Sequence, residues 1–188
     1  MQEEFVLVEL LKRTAEKAAE SGHKMVVFDA PVIDPAIVNG KNRRAIKEIL
    51  LQLVRNSVFH GIEEPEYRIE LGKEKVGLIE LTAKTVGDTM VIELRDNGKG
   101  LDFDAIAQKA LTKHLITEAQ AKDKSVLTKL IFSSGFSTAE QADMYAGRGV
   151  GLNLVKDRVK ELGGTIKLQS EKGKGTKFII TVPTHGAA

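Results

Sequence analysis

The stretch RRAIKEILLQLVRNSVFHG, residues 43–61, sets Ile46, Ile49, Leu50, Leu53, Val54 and Val58 on one broad arc of a helix. A helix this apolar on one side must bury that side against a second layer. The strand pattern further along the chain supplies one. GLIELTAKTV and DTMVIELRD alternate apolar and polar residues and meet through Gly87-Asp88, and GTIKLQSEKGKGTKFIITVP repeats the alternation about a glycine-rich turn. Further helices are expected over 3–20, about 103–112 and 151–162, with a short strand over 25–32 interrupted by Pro31. IEEPEYRIELGKEKVG reads as a charged connection, and 113–146 as helical pieces mixed with Gly, Ser and Thr, with little amphipathic regularity, which suggests mobility. Because the late strands arrive as hairpins, the expected class is α+β: a mixed, mostly antiparallel sheet with helices on one face.

Composition narrows the function classes. With 188 residues the chain is expected to form a single domain, 1–188, and its hydrophobic share of 42% suits a soluble globular protein. A net charge of +2 carries no nucleic-acid signature, and the basic clusters Lys41, Arg43, Arg44 and Lys172, Lys174, Lys177 read as solvated faces. There is no cysteine, which excludes disulfides, thiolate metal sites and a cysteine nucleophile, and the four histidines lack zinc spacing. No run approaches the ~18 apolar residues of a membrane span and no signal-peptide plan is seen, so no membrane insertion and a cytoplasmic location are expected. The chain opens on a helix pattern and stops after a strand pattern, as a piece of a larger protein would.

Four clusters carry potential chemistry. Gln52, Asn56 and His60 follow at four-residue steps along the border of the apolar arc, where polar groups can face a cleft. Asp96-Asn97-Gly98-Lys99-Gly100 follows a strand, Gly147, Gly149 and Gly151 precede a helix, and Gly173-Lys174-Gly175-Thr176 joins two strands. Singly, each is compatible with capping or turn chemistry. The run of three alternate glycines can equally expose backbone N–H groups to phosphates at a helix N-terminus.

Taken in order, these clusters resemble the motifs of the ATP-binding fold shared by gyrase, Hsp90, MutL and histidine kinases. In detail LVRNSVFHGIE (53–63), EPEYRIELGK (64–73), IFSSGFSTAEQ (131–141), GRGVGLNLVK (147–156) and GKGTKFIITVP (173–183) are similar to the catalytic domain of CheA-type chemotaxis histidine kinases. The likeness runs from about residue 45 to residue 183. It implies a two-layer α/β sandwich of the Bergerat type with a mobile ATP lid over about 113–146. The ligands it implies are ATP and Mg²⁺. It also implies partners beyond the chain: a histidine phosphotransfer domain, and the dimerisation and receptor-coupling domains of a parent kinase.

Residue by residue, the resemblance has Asp96 accept a hydrogen bond from the adenine amine, with Gly98 and Gly100 letting the backbone lie against the base. Asn56 would hold Mg²⁺ through its amide oxygen, with His60 as a second metal or nucleotide contact or else a helix-end dipole partner. Gly147, Gly149, Val150 and Gly151 would meet the triphosphate and Thr176 would close the far side. Arg148 and Lys156 would contact phosphate or stay solvated. Phe132 and Phe136 would latch the lid or serve as core aromatics. Two positions depart from the family pattern. Gln52 stands where the family usually has histidine, at a catalytic position one turn before Asn56, and Phe59 stands where it usually has aspartate. Glutamine cannot act as a general base, so the expected protein-histidine kinase has as its alternative a nucleotide-binding pseudokinase. An ATPase of the gyrase or Hsp90 type is a third reading, weakened because no glutamate lies at position 52.

Overall fold

Along the strand Thr89–Asp96 every second side chain is buried: Met90, Ile92, Leu94 and then Asp96. Period-two alternation thus carries a carboxylate onto the same face as three aliphatic side chains. In the computed structural model, which describes residues 3–38, 41–133, 136 and 151–184, this strand is the centre of the sheet. The elements in chain order are α1 (Glu3–Ser21), β1 (Val26–Ile33), α2 (Arg43–Asn56), α3 (Pro65–Glu70), β2 (Gly77–Val86), β3 (Thr89–Asp96), α4 (Phe103–Thr112), α5 (Lys124–Ile131), α6 (Leu152–Glu161), β4 (Thr165–Glu171) and β5 (Gly175–Pro183). They fall into two units, Met1–Leu101 with Arg158–Ala188, and Asp102–Asp157.

The first unit holds the sheet, in the order β1-β2-β3-β5-β4, with β1 parallel to β2 and every other pair antiparallel. This is the mixed, mostly antiparallel sheet expected from the hairpin pattern. Its buried face (Phe28, Ile79, Leu81, Ile92, Leu94, Phe178, Ile180) meets the apolar arcs of α1 (Leu7, Leu11, Ala15) and α2 (Ile46, Leu50, Leu53, Val54). The pairing of β1 with β2 shifts register between Asp29 and Val32, around Pro31, which has no N–H to give the ladder. Gly87 turns the β2–β3 hairpin with φ of 58°.

The expected helix over 43–61 divides in two. After Asn56 it widens into a π-helical turn, Ser57–Gly61, closed by the Ile62 N–H donating to the Ser57 carbonyl at 2.8 Å. The wider turn changes the phase of the helix, so His60 is exposed while Gln52 and Asn56 are half-buried. It also leaves late carbonyls to be satisfied elsewhere. Lys24, from the α1–β1 connection, donates to the Val58 and Phe59 carbonyls at 2.6 and 2.7 Å.

One helix interrupts the charged connection, where none was expected, and another lies in 113–146, where helical pieces were expected without bounds. The charged connection contains α3, only six residues long, with a proline in its first turn and Gly72 in the left-handed conformation (φ 72°) just beyond it. In the second unit α5, eight residues, is capped by Asp123, whose carboxylate accepts from the Ser125 N–H at 2.8 Å. Helices this short span too few turns for periodicity to register, although proline-start and glycine-stop signals were present for α3. Among the described residues no helix is long and apolar enough to cross a membrane.

Lys24→Met should lower stability by about 1.5–3 kcal/mol, the usual worth of hydrogen bonds from a charged donor, and speed amide exchange at Ile62. Urea unfolding and hydrogen exchange check both; unchanged exchange at Ile62 would mean that the turn holds without this cation.

Candidate functional site

Asp96 is 2% exposed, yet each of its oxygens is answered. Oδ1 accepts the N–H of Gly98 at 3.0 Å and that of Thr176 at 3.2 Å, and Oδ2 accepts the Ser57 hydroxyl at 3.0 Å. Each donor arrives for a local reason. Gly98 lies in the loop that follows Asp96, Thr176 is its cross-strand partner in β5, and Ser57 opens the π-helical turn. The carboxyl is held above its usual range, first by burial and to a lesser degree by the charge of Glu63, against the downward pull of these three hydrogen bonds. Oδ1 is saturated, whereas Oδ2 has accepted one bond and keeps capacity for another.

Close backbone packing surrounds the carboxylate. A Cβ on Gly98 would collide with the Gly61 carbonyl, and one on Gly100, whose φ is 65°, with the Glu171 carbonyl. The loop 96–100 is therefore pressed between the end of α2 and the β4–β5 hairpin at distances only glycine permits. The Lys99 N–H closes the contact by donating to the Gly61 carbonyl at 2.9 Å.

On α2, Gln52 Nε2 donates to Asn56 Oδ1 at 3.2 Å. This orients the amide and leaves its oxygen a second lone pair. A hard oxygen donor of this kind suits Mg²⁺, which keeps waters and phosphate oxygens as its remaining ligands. Among the described residues no group of three or more His, Cys, Asp or Glu could form a protein-only cage.

Behind the loop lies a buried ion cluster. Glu63 meets Arg68 at 2.8 Å and Lys73 at 2.6 Å, with the Glu63 and Arg68 side chains almost completely enclosed. Burial pushes the Glu63 carboxyl up, but the two cations outweigh it and hold it below the usual range. Arg68 also donates to the Asn97 carbonyl at 3.2 Å, its side-chain oxygen at 3.3 Å and the Glu74 carbonyl at 2.8 Å. Lys73 donates to the Gly98 carbonyl at 2.8 Å.

A model of the histidine kinase-, DNA gyrase B-, and HSP90-like ATPase family matches residues 41–186. The chain belongs to this family. The chemotaxis protein CheA of Bacillus subtilis is 42% identical over 147 residues, covering 76% of this ATPase domain and 22% of the relative. That of Salmonella typhimurium is 37% identical over 174 residues, or 93% and 25%. The gliding motility regulatory protein of Myxococcus xanthus is 39% identical over 140 residues, or 73% and 18%. The chain thus spans a quarter or less of the length of these curated relatives. In three dimensions it resembles the catalytic domain of histidine kinase ThkA, with a TM-score of 0.55 at 17% identity over 95% of this chain and 92% of that one. It also resembles the mycobacterial sensor histidine kinase MprB, with a TM-score of 0.55 at 14% identity over 95% of each. These two likenesses concern the fold, which is the one expected from the motifs.

The kinase-type ATPase domain brings some of the expected residues together. Asp96, Gly98, Gly100 and Thr176 share one locus, and Gln52 touches Asn56 one turn before Ser57. His60 stands exposed on the π-helical turn. Phe132 and Phe136 are buried, and Gly151 and Lys156 are exposed. Gly147, Arg148, Gly149 and Val150 lie outside the described residues. Sequence reading missed Ser57, Gly61 and the Glu63–Arg68–Lys73 cluster. Three charges within EEPEYRIELGK look like any solvated connection until the fold encloses them.

A carboxyl whose folded pKa lies above its unfolded one binds its proton more readily when folded. Its charge therefore costs the native state stability above that pKa, and the cost fades as pH falls toward the ordinary carboxylate range. In Asp96→Asn the amide oxygen can keep both N–H bonds while Ser57 turns from donor to acceptor. Near pH 7 the variant should be at least as stable to urea as the unmodified chain, with the difference narrowing as the pH falls toward the ordinary carboxylate range. A clear loss of stability near neutrality would show that the hydrogen bonds to the charged form outweigh its burial.

Proposed function

We propose that this chain binds Mg-ATP and, within a longer CheA-like kinase, directs the γ-phosphoryl group to a histidine on a separate phosphotransfer domain. The observation that carries the reading is the Asp96 carboxylate. It is enclosed and already bonded on three sides, with Oδ2 left to accept one more hydrogen bond. The amine of adenine is such a donor; guanine presents a carbonyl at that position and would leave the buried acceptor unanswered. Asn56, with its amide held by Gln52, would bind the magnesium ion, which neutralises phosphate charge when present. His60, exposed beside it, is a further candidate contact.

The glycine run 147–151, with Arg148 and Val150, is assigned to the triphosphate from its sequence, because N–H groups without side chains at a helix start suit anions. Segment 113–146, with Phe132 and Phe136, is assigned on the same ground as the nucleotide lid. The acceptor, dimerisation and receptor-coupling domains belong to the parent protein under this reading. A cysteine-free chain that consumes ATP suits the cytoplasm, where ATP is supplied.

Asp96→Asn should weaken ATP at least tenfold, about 1.4 kcal/mol, in titrations with a fluorescent ATP analogue. Because the same substitution is expected to leave the fold intact, unchanged affinity would remove Asp96 from base recognition.

Gln52 can orient Asn56 but cannot take a proton from an acceptor histidine. With a supplied acceptor domain, Gln52→His should raise single-turnover transfer by up to ~10², the lower end for a positioned base, with much less effect on ATP affinity. Rapid transfer by the unmodified chain, indifferent to the substitution, would show that position 52 contributes no chemistry.

A further inference from the structure

Two consecutive peptide groups in the 96–100 loop are gripped at both ends. The peptide joining Asn97 to Gly98 directs its N–H to Asp96 Oδ1 and its carbonyl to Arg68, with Lys73 more distant at 3.4 Å. The peptide joining Gly98 to Lys99 directs its N–H to the Gly61 carbonyl and its carbonyl to Lys73. In a trans peptide C=O and N–H point in opposite directions, so anchoring both prevents the plane from turning over. Glycine at 98 would otherwise make such a turnover easy. Glu63 keeps both cations in place, bonding Arg68 through one oxygen and Lys73 through the other.

We propose that Arg68 and Lys73 are positioning residues for base recognition, clamping these two peptide planes so that Asp96 is preset to receive an adenine amine. The proposal rests on reading the Asp96 locus as the adenine site. It extends that reading to residues that need not touch the nucleotide. Buried ion pairs are poor stabilisers relative to apolar packing, so stability alone is a weak reason for enclosing this one. An anchored loop has a separate advantage: ordering it beforehand spares the ligand that cost on binding.

The test uses the whole chain and titrates ADP and inosine diphosphate, whose base carries a carbonyl in place of the amine. Lys73 is the less enclosed cation, and Lys73→Met removes its charge while keeping most of its stem. ADP should bind about tenfold or more weakly to this variant, and the preference for ADP over inosine diphosphate should shrink. Lys73→Arg, which keeps a donor, should recover most of both. Met-variant affinity for ADP within about twofold of the original, or equal loss for the two nucleotides, would overturn the proposal.

Hydrogen exchange on the unmodified chain gives a reading even if the variant does not fold. The amides of Gly98 and Lys99 should already exchange slowly without nucleotide. Rapid exchange that ADP then slows would mean that binding, and not the ion cluster, orders the loop. If the unmodified chain binds ADP while the variant results go against the clamp, only the clamp fails. If the unmodified chain binds no ADP at all, the nucleotide reading fails and the clamp with it.

Discussion

A carboxylate buried at the end of a sheet must have its charge answered by the protein, because water is not there to do it. Asp96 draws its three donors from three separate parts of the chain: the loop it begins, the neighbouring strand and the far end of α2. That requirement explains features that would otherwise look unrelated. The Asp96–Thr176 register of β3 with β5, the widened turn at Ser57–Gly61 and the glycine at 98 each bring one donor within reach or let backbone approach backbone. With Oδ1 filled by two N–H groups and Oδ2 by one hydroxyl, the remaining acceptor capacity lies on Oδ2 alone.

The surrounding polypeptide has a consistent polarity. Lysine and arginine side chains take up carbonyl groups around the Asp96 locus: Lys24 on the turn after α2, Arg68 and Lys73 behind the 96–100 loop. With the Asn97 carbonyl held by Arg68, the Gly98 N–H of the same peptide points toward the carboxylate. A site built on backbone donors is sensitive to peptide orientation, and cations are effective at holding carbonyls because their hydrogen bonds are charge-assisted. The same logic governs Gln52 and Asn56. One amide donates so that the other presents an oxygen in a defined direction.

Nucleotide recognition and phosphoryl transfer place different demands on these groups. Under the proposed function, recognition needs an acceptor that does not move, and the enclosed Asp96 locus would supply it from within the first unit. Transfer, as proposed, would need alignment with an acceptor histidine on a separate domain. The position one turn before Asn56 is where the two meet, and glutamine there favours orientation over proton transfer. The chain matches CheA proteins and a gliding motility regulatory protein over a quarter or less of their length.

By itself the sequence determined the layers and the family. The apolar arc of α2, the alternation of β2 to β5 and the hairpin glycines are local patterns, and each forces a face or a turn whatever lies beyond it. Motif order was likewise enough to single out Asp96, Asn56, Gly98 and Thr176 as candidates. Only tertiary structure decided what surrounds them. Ser57 and Gly61 fall on the apolar arc by helical spacing, but the carboxylate they meet there belongs to a strand more than thirty residues further along, which periodicity over 43–61 does not reveal. Glu63, Arg68 and Lys73 become an enclosed cluster because α3 folds them against the 96–100 loop, more than twenty residues away in sequence. Burial and hydrogen bonding between distant segments depend on where the chain returns to itself, and no short window of residues contains that information.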